Sequence, residues 1–186
     1  CIPAPHTIYK NIYKLLPGYY LELREDNLKE GLLPQSKIYW SLSERAIYGN
    51  NKKFLNNEEE IKNNLENQLK LSVKKQMISD VPIGAFLSGG IDSSTIVTLM
   101  QLQSNHPIKT FTIGFSEDDY SEAEYAKKIA KHLGTDHTEL YISPEMATDV
   151  IPKLPTIYDE PFSDSSQIPT FLVSQLAKQQ VKVSLS

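Results

Sequence analysis

The stretch Leu87-Ser88-Gly89-Gly90-Ile91-Asp92-Ser93-Ser94 decides how this chain reads. A short apolar segment, Ile83 to Leu87, runs into it, and an apolar-faced segment, Thr95 to Leu102, runs out of it. Strand, glycine turn and helix in that order make an anion-gripping layout. Adjacent glycines allow positive φ and a close approach of backbone to ligand. The amides of the turn and of the first helical turn are unpaired donors, and the helix dipole adds partial positive charge to them. Ser88, Ser93 and Ser94 add hydroxyl donors for phosphate oxygens. Asp92 repels phosphate, but it can hold a divalent cation such as Mg²⁺ that bridges to phosphate. A Walker-type loop requires a lysine in the turn, and a dinucleotide fingerprint requires a third spaced glycine; this stretch has neither.

From Asp80 onward, apolar periods alternate between strand and helix. Ile83–Leu87 reads as a buried strand and Ser93–Gln103 as a helix with Ile96, Val97, Leu99 and Met100 inward. Thr110–Phe115 reads as a second strand. Ser121 with Glu124 forms a capping box for a helix carrying Ala123, Ala126, Ile129, Ala130 and Leu133, which Gly134 closes. His137–Ile142 is a third strand, and Ser143-Pro144 opens a further helix that Pro152 and Pro155 break. Ile168–Lys178 is helical and Val181–Leu185 is a fourth strand. Strands alternating with helices imply an α/β fold with a doubly wound parallel sheet, whose ligands bind at the carboxyl ends of the strands. The glycine run stands at such an end.

The first part of the chain has a different texture. Leu15-Leu16-Pro17-Gly18 is a turn signal. Tyr19–Leu23 and Ile38-Tyr39-Trp40 have strand character. Two or three short strands bury little, so residues 1–42 read as the edge of a larger β-rich unit. Residues 43–56 are polar and read as a linker. A long helix starts near Asn57, with Asn57 and Glu60 spaced as a capping box. Its apolar stripe, Ile61, Leu65, Leu69, Val73 and Met77, is for packing.

Composition sets limits. Within 186 residues the apolar fraction is 40%, the charged fraction 23% and the formal net charge −4, so no basic field invites nucleic acid or an anionic membrane. No apolar run approaches the ~20 residues of a membrane span, and the opening residues do not read as a signal peptide, so none is expected. A single cysteine makes no internal disulfide and suits a cytoplasmic location. No His/Cys cluster has zinc spacing. His132 at a helix end reads as structural, His106 before Pro107 in a loop as exposed, and His137 on a strand end as packing rather than a metal ligand. Glu117-Asp118-Asp119 reads as a solvated acidic loop.

Ser88-Gly89-Gly90-Ile91-Asp92-Ser93-Ser94 resembles the pyrophosphate loop of the ATP pyrophosphatases, of adenine-nucleotide alpha hydrolase-like fold. The resemblance narrows to glutamine-dependent asparagine synthetases of the bacterial type. Asp80-Val81-Pro82-Ile83-Gly84-Ala85-Phe86-Leu87 leads into the loop as in that family. Phe111-Thr112-Ile113-Gly114-Phe115, Asp119-Tyr120-Ser121-Glu122 and Tyr158-Asp159-Glu160-Pro161-Phe162-Ser163-Asp164-Ser165-Ser166 match further blocks. Pro3-Ala4-Pro5-His6-Thr7-Ile8 and Leu15-Leu16-Pro17-Gly18 look like the end of its glutaminase domain.

The resemblance implies a C-terminal edge of a glutaminase domain in 1–42, a linker in 43–56 and the N-terminal half of a synthetase domain in 57–186. It implies ATP with Mg²⁺: Leu87 and Ile113 flanking adenine, the loop from Ser88 through Gly89, Gly90, Ser93 and Ser94 holding pyrophosphate, and Asp92 on the metal. It implies adenylation of aspartate and attack by ammonia from glutamine to give asparagine, in a protein whose full length leaves a homodimer open. Cys1 would then be an ordinary residue rather than a glutaminase nucleophile, since Pro3 and Pro5 oppose the strand such a nucleophile starts. The nucleophile and a second synthetase loop are expected outside these residues, so the chain alone is expected to be inactive. Asp159 and Glu160 read either as lining a substrate pocket or as a solvated turn. Two other readings stay open: a related adenylating enzyme for another carboxylate, such as a β-lactam synthetase-like or polysaccharide-pathway enzyme, and a non-catalytic nucleotide-binding module.

Overall fold

The computed structural model describes residues 2–25, 34–54, 57–115 and 122–186. They fall into two units, 1–57 with 158–163 and 58–157 with 164–186. Cys1, the acidic run Glu117-Asp118-Asp119 and the Ser121 of the expected capping box lie outside the described residues.

The first unit is built on a turn. Gly18 sits at φ +75°, where a Cβ would collide with the Trp40 carbonyl. Its own carbonyl accepts from the amides of Tyr39 and Trp40 at 2.9 and 3.2 Å. That closure pairs β1 (Tyr19–Tyr20) antiparallel with β2 (Lys37–Ile38). Both strands are shorter than their aromatic content suggests, because only two residue pairs are in register. The segment read as a linker holds a helix, α1 (Leu42–Asn51), capped by Ser41, whose side chain accepts from the Glu44 amide. None of its residues is buried.

In the second unit, α2 (Glu58–Gln76) opens on three glutamates and closes on Lys74 and Lys75, charges that complement its dipole. Its apolar stripe packs only in part. Leu69, Val73 and Met77 join the core, while Ile61 and Leu65 are 38% and 58% exposed. The expectation that the whole stripe packs is therefore corrected: the cluster around Leu99 and Met100 reaches only the C-terminal half of α2.

Beyond it run β3 (Ile83–Phe86), α3 (Ile91–Gln101), β4 (Lys109–Phe115), α4 (Ala123–Leu133) and β5 (Asp136–Ile142). Then come α5 (Pro144–Thr148), a 3-10 turn (Ile151–Lys153), α6 (Leu154–Ile157), α7 (Gln167–Ala177) and β6 (Val183–Leu185). Gly134 closes α4 at φ +70°, as its sequence position suggests. Pro152 and Pro155 divide the segment into three pieces, as expected, since neither can donate an amide to the carbonyl four residues before it. The Ser143-capped helix ends at Thr148, and each proline stands in the first turn of a following piece, where its missing amide costs nothing.

All pairings of β3 to β6 are parallel, in the order β5-β4-β3-β6. The order reverses at β3, the strand that feeds the glycine run. Helices pack on both faces. One face packs Ala85, Leu87 and Ile108 against α2, α3 and α4. The other packs Phe111 and Phe86 against Val173 and Ala177 of α7. This is the doubly wound parallel sheet the motif order implies. Among the described residues no helix is long and apolar enough to cross a membrane.

Candidate functional site

The loop after β3 is held by its own hydroxyls. The Leu87 amide donates to Phe111 O at 2.9 Å, and the Leu87 carbonyl accepts from Thr112 Oγ1. Leu87 is thereby fixed and buried. The Ser88 amide donates to Ser93 Oγ at 3.2 Å, and the Ser88 and Ser93 hydroxyls lie 2.9 Å apart. The Gly90 carbonyl receives the Ser94 amide and both the Ser93 and Ser94 hydroxyls. A carbonyl oxygen has two lone pairs. Three donors on Gly90 leave one hydroxyl proton surplus, so a ligand can recruit it without opening the loop.

The two glycines do different jobs. Gly89 takes φ +82°, and a Cβ there would lie 2.9 Å from the Ala126 amide nitrogen and 3.1 Å from Glu122 O. Gly89 thus lets the loop touch the first turn of α4. Gly90 is the extended N-cap of α3, and a Cβ there would meet only Ser88 Oγ at 3.4 Å. The first bond of the α3 ladder is Ser94 N–H to Gly90 O. The amides of Gly89, Ile91, Asp92 and Ser93 have no acceptor among the described residues. Ser88, Gly90, Ile91 and Asp92 are exposed. Four free donors at a helix N-terminus form an anion cradle.

Beside the cradle opens a cavity of about 510 Å³. Leu87, Ile113, Phe111 and Val173 form its apolar walls; Ser88 and Ser93 bring the loop into it. Leu87 and Ile113, from adjacent strand ends, do meet there. Asp92 and Ser94 are not among the lining residues. Asp92 is exposed on the first turn of α3. Among the described residues no three acidic, histidine or cysteine side chains gather into a metal cage. One exposed carboxylate beside free amides suits a cation that arrives with its own phosphate oxygens and waters, as Mg²⁺ does.

Thr112, Phe115, Thr170 and Glu122 also line the cavity and were not singled out from the sequence. Their signal was faint. Glu122 reads as part of a cap, and Thr170 as one more helix residue. The α7 residues are positioned by Asp164, whose carboxylate accepts from the Ser166 amide at 2.8 Å. The Ser166 hydrogen bonds hold that carboxyl below its ordinary range.

Asp159 and Glu160 belong to the first unit. Glu160 Oε2 pairs with Lys14 Nζ at 2.7 Å, and Lys14 also donates to Ile2 O at 2.8 Å. The Asp159 carbonyl receives the Tyr9 hydroxyl at 3.5 Å. His137 is packed, 9% exposed, with Nδ1 2.9 Å from Thr110 Oγ1. Burial lowers its pKa from the ordinary 6.5, against the pull of Glu139.

Comparison with known proteins gives the chain its kin. The family model described as asparagine synthase matches residues 64–186. A putative glutamine-hydrolysing asparagine synthetase 2 of Methanocaldococcus jannaschii is 38% identical over 190 residues, covering 100% of this chain and 34% of the relative. Glutamine-hydrolysing asparagine synthetase 1 of Bacillus subtilis is 34% identical over 186 residues, covering 100% of this chain and 27% of the relative. The chain spans about a third of the length of the curated relatives it matches. Among solved structures, the NMN synthetase of Francisella tularensis is 16% identical with a TM-score of 0.44, over 69% of this chain and 53% of that one. By the family model and by the loop that opens its parallel sheet, this chain belongs to the asparagine synthase family.

Proposed function

We propose that this chain supplies the ATP-binding half of a glutamine-hydrolysing asparagine synthetase. The observation that carries the reading is the cradle of free amides at Gly89, Ile91, Asp92 and Ser93, placed beside the cavity where the strand order reverses. In the proposed reaction the side-chain carboxylate of aspartate attacks the α-phosphorus of ATP, and pyrophosphate leaves. Ammonia released from glutamine then attacks the acyl-adenylate carbon, and AMP leaves with asparagine formed.

The chain's own part is positioning and charge. The amides of Gly89, Ile91, Asp92 and Ser93 and the surplus hydroxyl proton stabilise the departing pyrophosphate where its charge grows. Leu87 and Ile113 hold the base between the strand ends. Asp92 would carry Mg²⁺, which neutralises phosphate charge and lowers the cost of bringing a carboxylate to phosphorus. Glu160 is already neutralised by Lys14, and we leave Asp159 and Glu160 outside the proposed site. The partners are small molecules rather than nucleic acid, and the setting is the cytoplasm. Residues 1–42 and 43–56 are read as the edge of the glutaminase domain and its linker. The 186 residues alone are expected to form no asparagine.

Titrating ATP–Mg²⁺ into the chain and into Asp92→Ala tests the nucleotide reading. Binding should weaken about tenfold or more in the variant, ~1.4 kcal/mol. Equal affinity in the two proteins contradicts it. A full-length clone assayed for pyrophosphate release with aspartate and then with other carboxylic acids tests the acceptor. Release with another acid and none with aspartate would replace the asparagine reading.

A further inference from the structure

Glu122 is the one acidic or basic residue among the described residues that line the cavity. It is exposed, and its carboxylate neither caps α4 nor forms an ion pair among the described residues. Its backbone is fixed. The Glu122 carbonyl accepts the amides of Tyr125 and Ala126 at 3.1 and 3.0 Å. The absence of a Cβ at Gly89 lets that same carbonyl sit against the loop. The close packing that demands a glycine at 89 therefore sets Glu122 at a constant place beside the anion cradle.

A carboxylate there cannot serve phosphate, which it repels. The apolar walls of Leu87, Ile113 and Phe111 offer it nothing to bond. What a nucleotide presents between its phosphates and its base is a ribose, and a ribose diol is a pair of hydroxyl donors. A carboxylate is a pair of acceptors. An acidic side chain near the end of the second strand serves ribose hydroxyls in dinucleotide-binding sheets for the same reason.

We propose that Glu122 accepts hydrogen bonds from the ribose hydroxyls of the bound nucleotide, making it the residue that selects ribonucleotide over deoxynucleotide. The proposal rests on the nucleotide reading of the cavity.

The test is a comparison of ATP, 2′-deoxyATP and 3′-deoxyATP binding, each with Mg²⁺, to the chain and to Glu122→Ala and Glu122→Gln. Circular dichroism and thermal melting confirm that the variants fold. The unaltered chain should prefer ATP over at least one deoxy analogue by roughly 10-fold, a hydrogen bond to a charged group. Glu122→Ala should lose affinity for ATP by a similar factor, bind that analogue unchanged and so abolish the preference. Glu122→Gln should retain part of it. Unchanged preference in Glu122→Ala, with ATP still bound, overturns the Glu122 assignment and leaves the nucleotide reading standing. An equal loss for all three nucleotides that added Mg²⁺ reverses also overturns it, by making Glu122 a cation ligand. No ATP binding by the unaltered chain overturns both.

Discussion

Residues 58–157 with 164–186 bury Phe111, Leu87, Met100, Ile142 and Val150 to 2% exposure or less. In residues 1–57 with 158–163 no described residue is buried, and Tyr39, Leu42, Ile47 and Phe54 are 63 to 73% exposed. Both units carry large apolar side chains, so composition does not separate them. Topology does. A parallel sheet covered by helices on both faces has two interiors to fill. A two-residue hairpin with one helix has none. The first unit is held by turn hydrogen bonds at Gly18 and by the Lys14–Glu160 pair, and the second by apolar burial.

That contrast breaks first on large-to-small substitution. Phe111→Ala should destabilise the sheet unit by about 3–5 kcal/mol, because Phe111 packs with Val173, Ala177 and Val181. Tyr39→Ala should stay within about 0.5 kcal/mol. Urea midpoints followed by circular dichroism measure both. A Tyr39→Ala loss near that of Phe111→Ala would show that the first unit has an apolar interior in solution.

A smaller effect separates the two glycines of the loop. Gly89→Ala combines a positive φ with contacts of 2.9 to 3.1 Å to the start of α4, and should cost about 1–3 kcal/mol. Gly90→Ala meets only Ser88 Oγ at 3.4 Å, at a negative φ, and should leave stability unchanged or slightly higher. ATP–Mg²⁺ titration should nonetheless show weaker binding in Gly90→Ala, since that methyl group would crowd the Ser88 hydroxyl of the loop. Full binding with an unchanged melting temperature would mean that the ligand side of Gly90 is empty.

The same contrast governs what could be read from sequence. The alternation from Ile83 to Leu185 was legible because each strand and helix carries its own period, and burial on both faces keeps that period strict. Strand order was not, since Val183–Leu185 pairs with β3 across nearly a hundred residues of chain. The loop residues were legible because glycine and hydroxyl spacing is local. Glu122 was not, because its place depends on α4 folding back onto Gly89. Ile61 and Leu65 misled for the opposite reason: a helical stripe shows that a face is apolar and says nothing of how far its partner reaches. In the first unit the pairing of Lys14 with Glu160 joins distant residues through two charges that mark nothing in sequence.

Acid should sharpen the difference between the units through His137. Burial lowers its pKa, so the unfolded chain takes up a proton at higher pH than the folded one. The folded state keeps its full stability above about 6.5 and loses it as pH falls below that value toward the lowered pKa. Glu139, 3.8 Å away, opposes the loss, and Lys127 adds to it. His137→Asn should flatten the fall in urea midpoint between pH 7.5 and 5 relative to the unaltered chain. Parallel curves would show that His137 is as easily protonated folded as unfolded.

The smallest effect is expected at the ion pairs, and here the first unit should be the more sensitive. Lys70–Glu66 spans one turn of α2, with side chains 39% and 54% exposed. Its loss in Lys70→Met should cost about 0.5 kcal/mol or less, because the helix persists without it. Lys14–Glu160 has side chains 35% and 18% exposed and ties residues 146 positions apart. Lys14→Met should still cost less than about 1 kcal/mol in a urea titration. Its clearer consequence is local: with no core beneath it, the 158–163 segment loses its one ionic tether among the described residues, and chymotrypsin cleavage at Phe162–Ser163 should speed several-fold. Cleavage at the rate of the unaltered chain would assign the hold on that segment to the Tyr9 hydroxyl and the Tyr158–Phe162 ring contact instead, since these are the other interactions the segment makes among the described residues of its unit.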